Sequence, residues 1–299
     1  MNGFLNIYKN QGQSSFDVIR QLKKYVNRKT KLGHLGTLDP MATGVLPVAV
    51  GQATRIIPYL DDSIKEYVAT MTTGAESDTQ DAWGQLVFTG KHRVDINQLQ
   101  DIVKEFTGTI RQTPPMYSAV HHEGKRLYEL ARQGITVERS EREVEIHDLK
   151  ILEIISTEYD CRIHLQVTCS KGTYIRTLCH DIGQKLGTGA YMSALERIRV
   201  GDFNLRDSFK IDELEDQVTL IDKLLPLEYP LTALPSIVID SPESLRYLSH
   251  GNPFTIEQNL LPGKIKLYSS SGQLMAIARA EPQANITVIQ PERMFIFDN

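Results

Sequence analysis

The sequence is poor in cysteine, with only Cys161, Cys169 and Cys179 among its 299 residues. They form no CxxC pair, and their odd number fits a reduced compartment better than a disulfide framework. The histidines are no better arranged for a metal, since only His121 and His122 are neighbours and no HExxH or Cys/His spacing occurs. We therefore expect no structural zinc and no other metal site. His121 and His122 are explained as polar residues of a surface loop.

Long apolar runs are also missing. No stretch approaches the roughly 18 apolar residues of a membrane-spanning helix, and the opening residues MNGFLNIYKNQGQSS lack the basic and apolar regions of a secretion signal. With 41% hydrophobic and 23% charged residues, the chain has the composition of a globular protein with a substantial core. The cytoplasm is the expected location.

An overall positive charge, which many nucleic-acid-binding proteins carry, is absent, because the formal net charge is −4. The charge is nonetheless unevenly distributed. Within residues 1–60 only Asp17 and Asp39 are acidic, whereas the basic residues are Lys9, Arg20, Lys23, Lys24, Arg28, Lys29, Lys31 and Arg55. Such a segment can meet phosphates, although a solvated helix face explains it about as well.

Strand-like and helix-like segments follow one another without regular βαβ alternation. Strands are predicted at residues 4–8, 45–50, 66–72, 144–155, 161–169 and 195–203. Helices are predicted at 16–26, 95–106, 124–133 and 213–225, and after a glycine turn within 170–186. This mixture predicts an α+β fold with a mostly antiparallel, mixed sheet. Because prolines cluster at residues 230–235, we expect one domain over 1–232 and a small β-rich domain over 233–299.

The stretch KLGHLGTLDPMATGVLPVAVGQATR, residues 31–55, surrounds a single carboxylate, Asp39, with glycines and threonines. Its glycines permit positive φ or the close approach of a ligand, and Pro40 stiffens the turn. The spacing fits neither a GxxxxGK[ST] loop nor a GxGxxG fingerprint, so nucleotide binding has little support. Taken alone, an aspartate in such a turn is more often a turn former or helix cap.

Further segments accompany this loop in a characteristic order. They are Lys65-Glu66-Tyr67 with TTGAESDTQDAWG, then QTPPMYSAVHHEGKRLYELARQG, CSKGTYIRTLCHDIG and GAYMSALERIRVG. In these segments and their order, residues 1–205 resemble the TruB family of tRNA pseudouridine synthases. The resemblance implies a pseudouridine synthase catalytic domain that isomerises one uridine in the T-loop of tRNA (position 55). A small PUA-like RNA-binding domain would follow it, although the likeness is weaker there.

The resemblance implies three catalytic residues. Asp39 corresponds to the essential aspartate, Tyr67 to the aromatic residue that stacks on the target base, and Arg176 to the arginine that pairs with the aspartate. The reaction breaks the N1–C1′ bond, turns the base over and joins C5 to C1′, so no cofactor is required. Arg176 would keep Asp39 ionised. Whether the aspartate attacks the sugar, attacks the base or removes a sugar proton stays open, as does a proton-abstracting role for Tyr67.

Three more residues are implied to contact the substrate. Tyr174 lies in the active site of similar proteins, Leu195 lines the pocket, and His34 supports the flipped-out RNA, whose unstacking costs about a few kcal/mol. The implied partner is tRNA, through its T-arm and, for the C-terminal part, its acceptor end. Without the family match, the tyrosines would be ordinary core or surface aromatics and the histidine a polar loop residue.

Two other functions are compatible with RNA binding. An RNA-folding module in which catalysis is secondary or lost is less favoured, since Asp39, Tyr67 and Arg176 are all present. A guide-dependent relative inside a ribonucleoprotein is expected to carry extended basic tails, and neither end of this sequence has one. No heptad pattern indicates a partner surface, so we expect a monomer without an obligate protein partner.

Overall fold

The computed structural model describes residues 1–60 and 64–295, and it is rich in strands. The strands are β1 Gly3–Lys9, β2 Leu32–His34, β3 Thr43–Val50, β4 Lys65–Thr73, β5 Ala75–Ser77, β6 Leu86–Phe88, β7 Gly108–Gln112, β8 His121–His122, β9 Lys125–Arg126, β10 Arg142–Ser156, β11 Cys161–Cys169, β12 Ala190–Val200, β13 Phe203–Asn204, β14 Ser236–Ile239, β15 Phe254–Ile256, β16 Gly263–Ser269, β17 Leu274–Gln283 and β18 Ile286–Met294. The α-helices are α1 Ser15–Leu22, α2 Ile96–Glu105, α3 Leu127–Ala131, α4 Ile175–Leu186, α5 Gln217–Asp222 and α6 Pro242–Ser249. None of these helices is long and apolar enough to cross a bilayer.

The larger sheet brings distant parts of the chain together. Its nine strands run in the order β1-β3-β12-β4-β11-β10-β7, with β2 beside β3 and β13 beside β12. All its pairs are antiparallel except β3 and β12, where Thr43 lies beside Glu196 and Gly44 beside Arg197. The predicted α+β fold with a mostly antiparallel, mixed sheet is confirmed. Because β3 follows the glycine-rich loop, its pairing with β12 places that loop next to β12.

Helices α1, α2 and α4 pack with this sheet in one hydrophobic cluster. Each has an apolar stripe, and in α4 the side chains of Leu178, Cys179 and Ile182 are completely buried. Helix α4 begins after Tyr174 and ends at Gly187, whose φ of 71° suits glycine. The apolar stripe fixes the first turn of α4 against the sheet.

A second sheet of five strands forms the C-terminal part, in the order β14-β16-β17-β18-β15. It shares apolar packing with the larger sheet, since Leu274, Ile277 and Phe295 lie in one cluster with Phe4 and Phe203. Each of these five side chains is at most 5% exposed. Burying these apolar side chains away from water stabilises the contact between the two sheets.

Three helices are shorter than the sequence predicts. The helix predicted over residues 16–26 is Ser15–Leu22. The helix predicted over residues 124–133 is only Leu127–Ala131, because Gly124 with a φ of 84° closes a hairpin between β8 and β9. The helix predicted over residues 213–225 is Gln217–Asp222, and it begins after the capping residue Asp216.

The C-terminal part contains two elements that the sequence pattern did not predict, helix α6 and strand β15. Ser241 caps α6, and Pro242 occupies its first turn. The predicted domain over residues 233–299 ends in residues 296–299, which lie outside the described residues. Residues 61–63 of the predicted first domain also lie outside them.

Candidate active site

The loop between β2 and β3 holds Asp39 on a fixed backbone. Ser15 of α1 clamps this loop, because its Oγ accepts a hydrogen bond from the Leu38 N–H at 2.9 Å and donates one to the Leu38 carbonyl at 3.2 Å. Leu38 and Met41 are 3% and 2% exposed and anchor the loop in the core. The Asp39 side chain between them remains 36% exposed. The carboxylate is therefore both fixed and accessible.

Arg176 in the first turn of α4 is the cation beside this carboxylate. Its side chain is 5% exposed, and its Nε lies 3.0 Å from Oδ2 of Asp39. Its terminal nitrogens donate to the carbonyl of Thr79 at 3.2 Å and to that of Tyr117 at 2.9 Å. Its Nη1 also lies 3.6 Å from Oδ2 of Asp81. A guanidinium held by four groups presents a fixed positive charge to Asp39.

Asp81 is a site residue that the sequence analysis did not select. It lies in the loop between β5 and β6 and is 7% exposed. Its Oδ1 accepts hydrogen bonds from the Thr79 hydroxyl at 2.7 Å and from the Trp83 N–H at 3.0 Å. The segment TTGAESDTQDAWG belongs to the family resemblance, but no spacing in the sequence links Asp81 to Arg176. Only the fold shows that one arginine lies between two carboxylates.

Opposing effects determine the pKa of the Asp39 carboxyl group. Burial raises the pKa of Asp39 above its usual range, and the negative charge of Asp81 contributes to that increase. The positive charges of Arg176 and, more weakly, Lys9 act in the opposite direction. Arg176 is therefore the main group that keeps the carboxyl ionised in a pocket that otherwise disfavours the anion.

Tyr67 lies on β4 and is 7% exposed. Its partner across the sheet is Arg197 of β12. Burial raises the pKa of Tyr67 to about 12, against the opposing positive charge of Arg197. The phenol is therefore neutral at physiological pH, and its ring provides a flat apolar surface near Asp39.

Leu195 and Tyr174 occupy different parts of the same region. Leu195 is 8% exposed and shares the hydrophobic cluster with Tyr67. Tyr174 caps the start of α4, where its N–H donates to Oε1 of Gln112 at 3.0 Å and its carbonyl accepts from Nε2 at 3.2 Å. Gln112 thus fixes the backbone two residues before Arg176, and it is a second supporting residue that the sequence analysis missed.

His34 lies at the end of β2 and is half-buried. Burial lowers its pKa, and the positive charge of Arg197 lowers it further. Its Nδ1 is buried without a hydrogen-bond partner within the described residues. The imidazole is therefore neutral at physiological pH, with one ring nitrogen unused.

The basic residues of the N-terminal segment have different environments. Lys9 is completely buried, where its Nζ donates to the carbonyl of Gln13 at 2.7 Å, and burial lowers its pKa to about 8. Lys29, Lys31 and Arg55 instead line an open cavity of about 340 Å³. This cavity is positively charged and can bind anions such as phosphate groups.

The site as a whole combines an accessible carboxylate, a fixed guanidinium and a buried aromatic ring. A carboxylate of this kind can act as a nucleophile or stabilise positive charge on carbon. In the described part of the chain, no three His, Cys, Asp or Glu side chains form a group that could hold a metal ion. A carboxylate beside an aromatic ring can act on a planar ligand.

Two family models match consecutive parts of the chain. The model described as TruB family pseudouridylate synthase (N terminal domain) matches residues 23–175, and the tRNA pseudouridylate synthase B C-terminal domain matches residues 176–232. A tRNA pseudouridine synthase B of Syntrophomonas wolfei is 53% identical over 296 residues, which cover 99% of each chain. One of Staphylococcus aureus is 42% identical over 306 residues, which cover 98% of this chain and 99% of the relative.

The fold is also similar to that of solved structures. A chain in the crystal structure of a Cbf5-Nop10-Gar1 complex superimposes with a TM-score of 0.71 and 26% identity, over 98% of this chain and 85% of that one. A second match comes from the archaeal box H/ACA sRNP Nop10-Cbf5 complex, with a TM-score of 0.68 and 24% identity, over 98% of this chain and 86% of that one.

Proposed function

Because the chain belongs to the TruB family of pseudouridylate synthases, we propose that it isomerises one uridine in the T-loop of tRNA, the uridine at position 55, with Asp39 as the catalytic carboxylate. Isomerisation of uridine in tRNA is its general activity. The observation that carries our proposal is the ion pair of Asp39 with Arg176, whose side chain is 5% exposed and lies 3.0 Å from the carboxylate. Such an arrangement keeps an anion available inside a partly buried pocket.

In the proposed reaction, the target uridine leaves the RNA stack and places its sugar and base beside Asp39. The carboxylate acts as the anion while the N1–C1′ bond breaks, and the bonding electrons leave with the uracil. The detached uracil turns over and C5 joins C1′. The C5 proton is then lost to solvent and N1 takes up a proton, so that the product is an isomer of the substrate. The reaction is an isomerisation without redox change or hydrolysis, so we propose that it needs no cofactor. Arg176 holds the carboxylate in place and in its ionised form.

We assign to Tyr67 the role of stacking on the uracil. Its pKa of about 12 makes the phenolate costly, by about 7 kcal/mol at pH 7. This cost argues against Tyr67 as the base that removes the C5 proton. The neutral ring can instead stack on the flat uracil while the base rotates, because stacking requires an aromatic face and no charge on the hydroxyl.

We propose that Leu195, Tyr174 and His34 complete the binding of the substrate. Leu195 belongs to the same hydrophobic cluster as Tyr67 and can give the pocket an apolar wall. Tyr174 is held at the start of α4 next to the cation, where its half-buried side chain can contact the base. The neutral and half-buried His34 can support the flipped-out RNA through stacking.

We propose that the T-arm and acceptor end of tRNA extend over the basic cavity and the C-terminal sheet. Lys29, Lys31 and Arg55 supply positive charge that can meet phosphates. The C-terminal domain over 233–299 would act as a PUA-like RNA-binding module. We place the enzyme in the cytoplasm, as a monomer without an obligate protein partner, and its three buried free cysteines suit a reducing compartment.

A direct experiment tests the assignment of the substrate. The purified protein is incubated with an unmodified tRNA transcript, without metal or nucleotide, and pseudouridine is mapped along the RNA. Product at the T-loop uridine is expected, and a transcript with cytidine at that position is expected to give none. Pseudouridine at another site would contradict the T-loop assignment. Tight tRNA binding without any product would favour an RNA-folding function.

A further inference from the structure

Arg197 on β12 is the largest completely buried side chain in the described part of the protein. Its Nε donates to the Val45 carbonyl at 2.8 Å, one terminal nitrogen donates to the Gly36 carbonyl at 3.0 Å, and the other to the Thr37 carbonyl at 3.5 Å. Gly36 and Thr37 belong to the loop that carries Asp39, and Val45 lies in the strand that follows it. One side chain thus holds both ends of the Asp39 segment.

The same guanidinium also reaches the stacking tyrosine. Arg197 and Tyr67 are direct partners in the β12–β4 pair, and the positive charge of the guanidinium acts on the Tyr67 phenol. On its other side, Arg197 pairs with Gly44 of β3. Arg197 therefore lies between the two strands that position the two proposed active-site groups.

Stability alone does not account for a charge in this place. Burying an ion costs several kcal/mol, and well-packed apolar replacements of buried charged groups are often neutral or stabilising. An apolar side chain at position 197 would fill the volume but could not donate hydrogen bonds to three backbone carbonyls. The contacts of Arg197 fix the orientation of Asp39 relative to Tyr67, which is a geometric requirement of catalysis.

We propose that Arg197 is a positioning residue that fixes the Asp39 loop and the Tyr67 ring in the mutual geometry required for uridine isomerisation. This inference rests on the proposed roles of Asp39 and Tyr67. Arg197 acts through these two residues and does not need to touch the RNA. Its loss should therefore slow the chemical step more than it weakens tRNA binding.

The test uses Arg197→Lys, which keeps the charge but cannot form the same set of hydrogen bonds. The matched control is Arg199→Lys, on the same strand, where the arginine pairs with Glu66. Release of tritium from tRNA labelled at uridine C5 is measured in single turnovers at saturating enzyme, and tRNA affinity is measured by filter binding. We expect Arg197→Lys to be about 10²-fold slower, with tRNA affinity close to wild type and a melting temperature several degrees lower, because buried carbonyls lose their donors. Arg199→Lys should resemble wild type in all three.

A double-mutant cycle with Tyr67→Phe separates positioning from a general structural role. If Arg197 acts through the tyrosine hydroxyl, the double variant is no slower than the slower single variant, whereas independent effects multiply. Multiplying effects would overturn the inference, as would a wild-type rate in Arg197→Lys or an equal loss of rate and affinity. Should Arg197→Lys fail to fold, a wild-type rate in Tyr67→Phe would overturn it. If wild-type protein releases no tritium from tRNA, the failure lies with the proposed function instead.

Discussion

Asp39 is a carboxylate in a place where ionisation is costly, and its neighbours determine whether it is charged. Burial raises its pKa, whereas Arg176 opposes that effect at 3.0 Å. Asp81 has two effects. Its negative charge raises the pKa of Asp39, and its carboxylate forms an ion pair at 3.6 Å with the guanidinium of Arg176. The chemistry therefore depends on the group of three charges more than on any one of them.

The pH dependence of the reaction follows from this balance. Since the pKa of Asp39 is raised, its anion is lost on acidification at a higher pH than for a free aspartate, whose pKa is about 3.9. Replacing Arg176 with Gln removes the main opposing charge, so the acid limb of the pH-rate profile should move to higher pH. The rate at neutral pH should also fall by about 10²-fold or more.

Single-turnover rates between acidic and neutral pH measure this effect, and Arg176→Lys is the control that retains the charge. Its acid limb should move less than that of Arg176→Gln. A limb that stays in place, or moves to lower pH, in Arg176→Gln would contradict the assigned electrostatics.

The contact between β3 and β12 is the structural element that builds the site. Gly44 lies where the two strands meet, with a φ of 101°, and a Cβ atom there would lie 2.2 Å from the backbone oxygen of Arg197. Neither the conformation nor the space suits any other residue. The parallel pairing that brings the Asp39 loop to β12 thus depends on one glycine.

Gly44→Ala is expected to destabilise the protein by at least about 3 kcal/mol, because the strands must separate to admit the methyl group. Gly187→Ala is the matched control, since this glycine has a φ of 71° but no atom within 4 Å of an added Cβ. It should cost only about 1–2 kcal/mol for the left-handed conformation. Urea unfolding measures both, and equal losses of stability would show that the close approach to Arg197 is unimportant.

The strands and amphipathic helices of the larger sheet could be predicted because their apolar periodicity is local. Helix α2 is an example, with Asp95 as its cap and the predicted bounds within a residue at each end. Helix α3 is shorter than its pattern because Gly124 commits the chain to a hairpin first. Helix α6 escaped prediction because its apolar side chains are few.

Some residues of the candidate site could be predicted from the sequence, and others could not. Asp39, Tyr67 and Arg176 could be named from family segments, and the structure brings all three together. Asp81 and Arg197 could not be selected, because their significance depends on neighbours that are distant in sequence. An aspartate or arginine within a strand or loop usually indicates a solvated residue or an ordinary ion pair, and only the fold distinguishes these two.

The whole molecule is held together by a hydrophobic core that continues from the larger sheet into the C-terminal sheet. Ile277 of β17 is completely buried in the cluster that contains Phe4 and Phe203. Deleting the C-terminal part would therefore expose apolar surface of the larger sheet. Point substitutions separate its structural contribution from RNA binding more cleanly.

Ile277→Ala should destabilise the whole chain by about 2–5 kcal/mol, since it leaves a cavity in the shared core. Val238→Ala, at a position that is 61% exposed, should change stability by less than about 0.5 kcal/mol. Thermal unfolding and the temperature at which tritium release is lost should shift together in Ile277→Ala. Loss of structure in the C-terminal sheet without any change in thermal inactivation would contradict a shared core.

The basic cavity should contribute to tRNA affinity through phosphate contacts. Replacing Lys29 and Lys31 with Glu is expected to weaken binding and to reduce the slope of log affinity against log salt by about 1.4–1.8, if each lysine meets one phosphate. Lys104→Glu on α2, where the lysine pairs with Asp101, is the control and should leave the slope unchanged. An unchanged slope in the double variant would remove this cavity from the RNA-binding surface.

The role of Asp39 as the catalytic anion is tested most directly by Asp39→Asn, which preserves size and removes the charge. Tritium release from C5-labelled tRNA is measured in single turnovers at saturating enzyme, together with tRNA affinity. We predict a rate at least about 10³-fold below wild type, with affinity within about threefold, because the base-stacking and basic residues are unchanged. A folded variant that binds tRNA and keeps more than about a tenth of the wild-type rate would contradict the assignment.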